Sequence, residues 1–181
     1  MPGKMDIMGD IDIKEVKASD GVLIRTVERL AREIWSEHYT PIIGKDQVEY
    51  MLDKFQSRKA ISGQIENGFL YYAVRRGDDY IGYLGVLPKR DTGELCISKI
   101  YIRSEERGKG YGKKTMEFID NVARRENLDR ITLTVNKDNA GSIKAYRRMG
   151  FRIVDSIVQD IGGGFVMDDY RMEKHVKMNK K

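Results

Sequence analysis

A single cysteine, Cys96, stands in 181 residues, so no disulfide can form within the chain. That scarcity points to a reducing, cytoplasmic setting. The two histidines, His38 and His175, are too few and too far apart for a metal centre, and no metal is expected. No apolar run approaches the ~20 residues that cross a bilayer, and the opening stretch "MPGKMDIMGDIDIKEV" lacks the apolar region of a signal peptide. No internal repeat or low-complexity linker divides the chain. One domain over residues 7–177 is expected, with 178–181 as a disordered basic tail.

Charged residues are abundant, at 34% of the chain, with a net charge of +5 and a mean hydropathy of −0.54. The excess of basic residues is modest and spread out, so it does not by itself name a polyanionic partner. One stretch is different. "RSEERGKGYGKK", Arg103 to Lys114, holds three glycines and five basic side chains against two acidic ones. Strand-like sequence runs into it and a helical pattern runs out.

Hydrophobic period gives the elements. "IDIKEVKA" alternates as a half-buried strand. Ser19 or Asp20 can cap a helix carrying Leu23, Val27, Leu30, Ile34 and Trp35, which is expected to break at Pro41 and Gly44. Val48, Met51, Leu52 and Phe55 start a second helix that resumes or continues through Ile61 and Ile65. "FLYYAVRR", "YIGYLGVLPKR" and "ELCISKIYIRS" are three strands joined by turns. A helix over "GYGKKTMEFIDNVARREN", a strand "RITLTV" and a short helix ending at Gly150 come next. Two strands around Gly162, Gly163 and Gly164 close the chain. The order β α α β β β α β α β β includes one crossover, which demands a parallel strand pair. The fold class is α/β with a mixed central sheet of about seven strands flanked by about four helices.

A helix N-terminus presents unpaired amides and a partial positive charge. Lys109, Lys113 and Lys114 crowd that end, and a bound polyanion would turn their repulsion into attraction. Gly108, Gly110 and Gly112 miss the dinucleotide pattern G-x-G-x-x-G by one position. The P-loop pattern also fails, because Arg107 stands where its first glycine belongs.

Arg107-x-x-Gly110-x-Gly112 at a strand-to-helix turn resembles the pyrophosphate loop of the GNAT superfamily of N-acetyltransferases. "VNKDNAGSIKAYRRMGF" resembles that family's second motif, with Asn139, Ile143, Tyr146, Gly150 and Phe151 at the family's intervals and Ser142 replacing a usual alanine. The resemblance covers about residues 11–176.

It implies acetyl-CoA as co-substrate. Pantetheine would lie along the backbone of Ile100, Tyr101 and Ile102, and Asn139 would bond its arm. The diphosphate would sit on Arg107, Gly108, Lys109, Gly110, Tyr111, Gly112 and Lys113. Tyr146 would face the thioester sulfur, and Glu94, at the start of the strand that feeds the loop, would act as base through water. Asp91, Glu66 and His38 remain alternatives to Glu94.

An acidic and aromatic set, Glu37, Asp46, Glu49, Asp160, Asp168 and Asp169 with Tyr39 and Tyr50, suits a small cationic amine such as a polyamine. The closing segment "IGGGFVMDDYRMEK" is similar to that of bacterial polyamine-type acetyltransferases. A protein N-terminal or lysine amine is the alternative acceptor. A non-catalytic acyl-CoA sensor is the alternative of another class, and Tyr146 argues against it. Too few aromatics accompany the basic loop for a nucleic-acid binder. No nucleic-acid or membrane partner is expected, and a homodimer stays open.

Overall fold

The computed structural model describes residue 3 and residues 5–178, so the last three residues of the expected basic tail lie outside the described residues. Among these, eight strands and five α-helices succeed one another. They are β1 (Met5–Met8), β2 (Ile11–Val16), α1 (Gly21–Ile43), α2 (Lys45–Gln56), α3 (Arg58–Glu66), β3 (Leu70–Arg76), β4 (Asp79–Lys89) and β5 (Glu94–Ile102). After a 3-10 turn at Ser104–Glu106 come α4 (Tyr111–Arg125), β6 (Arg130–Asn136), α5 (Ala140–Arg148), β7 (Arg152–Gly162) and β8 (Phe165–His175). The strands hydrogen-bond in the order β1-β2-β3-β4-β5-β6-β8-β7. The chain divides into two compact units, Met1–Leu87 with Lys99–Thr115, and Pro88–Ser98 with Met116–Lys181.

In the first unit β1 to β4 form an antiparallel meander. Asp20 caps α1 by accepting the Leu23 amide at 3.0 Å, which satisfies one of the orphan donors of the first turn. Leu23, Val27, Leu30 and Ile34 are buried along one face of that helix. The expected break at Pro41 does not occur. Pro41 lies in the last turn, where its missing amide costs one hydrogen bond, and the turn still closes through the Gly44 amide on the Thr40 carbonyl at 3.0 Å. Gly44, at φ 85°, is the true stop. The next helix does resume rather than continue: Ser57 is extended and caps α3 by accepting the Ala60 amide at 3.2 Å. Strand β1 has no counterpart in the sequence reading. Four residues with Ile7 68% exposed carry no usable alternation, and only pairing with β2 across the Gly9 turn reveals it.

In the second unit the expected parallel pair is present. β5 and β6 pair from Glu94↔Arg130 to Ile97↔Leu133. β6 also pairs with β8 over its whole length, from Arg130↔His175 to Asn136↔Asp169. Residues Thr134–Asn136 therefore run past the β5 pairing while staying tied to β8. Period-two alternation gives this part of the sheet two unlike faces. One carries Leu95, Ile97, Ile131, Leu133 and Met172, all buried, and Lys174 of that face pairs with Asp120 of α4 at 2.7 Å. The other is polar, with Glu94 on β5, Arg130, Thr132 and Thr134 on β6, and Asp169, Arg171 and Glu173 on β8.

Candidate active site

The glycine loop belongs to the first unit and is braced from behind. Glu106 is buried, paired with Arg76 at 2.8 Å and with Lys109 at 3.0 Å. The Arg107 Nε donates to the Ile102 carbonyl at 3.3 Å, tying the loop to the end of β5. Gly108 and Gly110 have φ of 76° and 84°, a region that a Cβ strongly disfavours. No atom lies within 4 Å of where a Cβ would stand at Gly108, Gly110 or Gly112, so the backbone there faces open ground. The first turn of α4 has no acidic side chain. Arg107, Lys109 and Lys113 are exposed beside it. A helix N-terminus with its dipole and exposed cations border space that an anion can fill.

Two of the loop's side chains have other work. Tyr111 is buried and donates its hydroxyl to Asp10 at 3.0 Å, leaving only its backbone for a ligand. Lys114 pairs with the same carboxylate, and these two contacts hold Asp10 below the usual carboxylate range.

Farther back on β5, Tyr101 sits among aromatics. Its ring centroid is 5.5 Å from Trp35, 6.2 Å from Tyr39 and 5.4 Å from Tyr83, and its hydroxyl is 3.4 Å from that of Tyr39. His38 stacks edge-on against Tyr39 at 4.8 Å. Two residues before Tyr101, the sequence reading missed Lys99. Its ammonium nitrogen is buried, donates to Gln64 Oε1 at 2.7 Å, and lies 5.1 Å and 5.7 Å from the rings of Tyr71 and Phe69. Burial pulls this amine down to about 7. The signal available was a lysine inside the apolar run "CISKIYI". Gln64 and Phe69 also line an open depression of about 510 Å³ with Lys54, Ser57 and Lys59.

The second unit holds the other predicted residues. Asn139 is buried and caps α5, accepting the Ser142 amide at 3.3 Å. Tyr146 on α5 is half-buried, with its ring edge-on to Phe151 at 5.7 Å. Glu94, at the start of β5, is buried rather than open to solvent. It is 6% exposed and accepts from the Arg171 guanidinium and from Thr92 Oγ1 at 3.1 Å, with Arg130 at 3.9 Å. Arg130 and Arg152 also reach Glu173, so acids and guanidiniums alternate across the polar face.

The acids that the sequence grouped as one rim are largely engaged within their own units. Glu49 pairs with Arg32 at 2.9 Å, Glu37 accepts from Ser104 at 2.8 Å, and Asp160 accepts the Gly162 amide at 2.8 Å. Asp168 pairs with Lys137 at 2.5 Å. Asp169 differs: it is 5% exposed, and burial together with the charge of Asp168 pushes its carboxyl up to about 6 against a hydrogen bond from Thr134. Asp91 and Glu66 are exposed. Among the described residues no three His, Cys, Asp or Glu side chains cluster as a metal site, and no helix is long and apolar enough to cross a membrane.

The chain is similar to known acetyltransferases. Streptothricin acetyltransferase of Streptomyces lavendulae is 33% identical over 89 residues, 49% of this chain and 47% of that protein. L-methionine sulfoximine/L-methionine sulfone acetyltransferase of Pseudomonas aeruginosa is 33% identical over 60 residues, 33% of this chain and 35% of that protein. The matches thus span half or less of these curated relatives. Among solved structures, PaiA N-acetyltransferase of Thermoplasma acidophilum in complex with coenzyme A superposes with a TM-score of 0.75 at 19% identity, covering 92% of this chain and 99% of that one. A spermidine N-acetyltransferase SpeG chimera from Vibrio cholerae and hSSAT gives 0.65 at 19% identity, over 92% and 96% of the two chains. The family model for the acetyltransferase (GNAT) family matches residues 27–151, a span that takes in both β5 with its glycine loop and the α5 motif through Phe151, and the chain belongs to that family.

Proposed function

We propose that the protein transfers an acetyl group from acetyl-CoA to a primary amine by direct attack of the amine on the thioester. The observation that carries this reading is the loop from Gly108 to Lys113: positive φ at Gly108 and Gly110, open ground, the start of α4 and exposed cations in one place. Gly108, Gly110, Gly112 and the backbone of Tyr111 take the diphosphate, with Arg107, Lys109 and Lys113 beside it. Ile100, Tyr101 and Ile102 offer backbone groups to pantetheine, and Asn139 bonds the arm. Tyr146 donates to the sulfur as negative charge develops there. Glu94 was the base expected from sequence, and its arginine contacts weigh against that role.

A free alkylamine titrates near 10.4, so about 1 in 10³ molecules is neutral at pH 7, a penalty on the order of 4 kcal/mol. The acceptor that fits best is a small cationic amine such as a polyamine. The aromatic group Trp35, Tyr39 and Tyr101 supports it, since ring faces attract ammonium. So does the likeness to the spermidine-acetylating chimera. A protein α-amine is the second reading. It is favoured by a TM-score of 0.73 with RimL, a ribosomal L7/L12 alpha-N-protein acetyltransferase, at 15% identity over 96% and 98% of the two chains. The setting would be cytoplasmic, and a homodimer is compatible with this reading. Thiol release from acetyl-CoA, measured with spermidine and with a peptide panel at matched concentration, tests the proposal. Spermidine is expected to react. Acetylation of peptides alone would select the second reading, and no thiol release with any amine would defeat both.

A further inference from the structure

Resting on that reading, we propose that Asp169 accepts the proton of the attacking ammonium. Place comes first. Asp169 lies on β8 opposite Asn136, the last residue of β6. The pairing of β6 with β5 ends at Ile97↔Leu133, three residues earlier. Asp169 therefore stands on the polar sheet face of the second unit, at the far end of the β6–β8 pairing.

Its surroundings suit a proton acceptor. The side chain is buried, and its hydrogen-bond donor is the neutral hydroxyl of Thr134. Around it are Asp168 before it, Lys137 in ion pair with Asp168, Tyr170 after it, whose ring receives Lys137 at 5.6 Å, Arg171 two residues on along the same face and engaged by Glu94, Asn136 opposite it on β6, and the apolar Ile157 opposite it on β7. Lys137 is held by Asp168 and still draws Asp169 down, but burial and the like charge of the Asp168 carboxylate outweigh it and favour protonation of Asp169. Glu94 is the contrast on the same face. It is equally buried, but a proton arriving there must displace the Arg171 guanidinium. At Asp169 it needs only a turn of the Thr134 hydroxyl. A carboxyl held at about 6 is ionised at pH 7 yet basic enough to take a proton, the balance that general bases require.

Atoms and charge balance through the step. The ammonium gives one proton to the Asp169 carboxylate, directly or through one water. The freed nitrogen lone pair forms the C–N bond. The C–S bond breaks, and the second nitrogen proton ends on the departing sulfur by way of Tyr146. Asp169 returns its proton to solvent.

The test compares Asp169→Asn with wild type and with Glu94→Gln, after wild-type turnover has been measured with spermidine and the peptide panel. Acetyl-CoA affinity by calorimetry is expected to change less than twofold in Asp169→Asn, while turnover at pH 7 falls about 10²–10³-fold. Activity should return toward wild type near pH 10, where the amine deprotonates itself. The acid limb of wild-type kcat/KM near pH 6 should vanish in Asp169→Asn, persist in Glu94→Gln whatever its rate, and shift in Asp169→Glu. A folded Asp169→Asn enzyme with wild-type turnover and an intact acid limb would overturn the proposal, as would a limb lost only in Glu94→Gln. A wild type that releases no thiol with any amine overturns the underlying acetyl-transfer reading, which is a different failure from a defect confined to the variant.

Discussion

Phenols titrate near 10 and thiols near 8.5, so a tyrosine cannot simply hand its proton to a free thiolate in water. In the proposed reaction Tyr146 supplies a hydrogen bond that strengthens as the sulfur becomes negative, with proton transfer trailing or coupled. Tyr146→Phe is therefore expected to lower kcat by ~10²–10³-fold and to leave acetyl-CoA affinity nearly unchanged. Single-turnover kinetics with calorimetry separates the two effects, and wild-type kcat would return Tyr146 to a packing role against Phe151. Glu94 and Asp169 make the same point about chemistry set by surroundings. Both are buried carboxylates on one sheet face, yet one is neutralised by guanidiniums and the other is left beside a second carboxylate.

The element that matters most is the turn from β5 into α4. Its geometry favours glycine at 108 and 110 for backbone reasons, and a Cβ at either would stand in open space. Gly110→Asp tests both at once, since it adds a Cβ at φ 84° and a carboxylate in the space proposed for diphosphate. Loss of acetyl-CoA binding by at least tenfold is expected, in a protein whose far-UV circular dichroism is unchanged. Unaltered affinity would remove the loop from the cofactor site. The strand β5 shows how one element serves two environments. Its first four residues pair with β6, and its later residues Lys99 and Tyr101 meet Gln64 and the aromatic group.

Stability is a property of the whole chain, and Lys99 makes it depend on pH. In the unfolded chain this amine has its ordinary value near 10.5, and in the folded protein burial lowers it to about 7. Between those values the unfolded state binds more protons, so stability rises with pH; below 7 the full cost of a buried ammonium is present. Each pKa unit is worth about 1.4 kcal/mol, so removing the amine should gain on the order of a few kcal/mol at low pH. Lys99→Met is expected to raise Tm by several degrees at pH 6 and by clearly less at pH 9.5, at about 2–4 °C per kcal/mol for a chain of this size. An equal gain at both pH values would show that packing, not ionisation, sets the cost.

Helices, most strands and the glycine loop were legible in the sequence because they obey local rules. Side chains repeat every two or 3.6 residues, Asp20 and Asn139 each cap the helix that begins at the next residue, and glycines mark turns within a few positions. The parallel pair of β5 and β6 was also legible, since a crossover helix permits nothing else. Pairing over distance was not. The arginine contacts of Glu94 were not legible, because its partner Arg171 is far along the chain and reaches it only through the register of β6 with β8. Lys99 meets Gln64 and Tyr71, and Asp169 meets Thr134, by the same kind of nonlocal placement. Local pattern in the chain was enough for most elements, the family and the position of the glycine turn into α4. Which charges are neutralised, and which are held near the pH at which they can act, was settled by the folded arrangement of strands, because burial and partner distance exist only there.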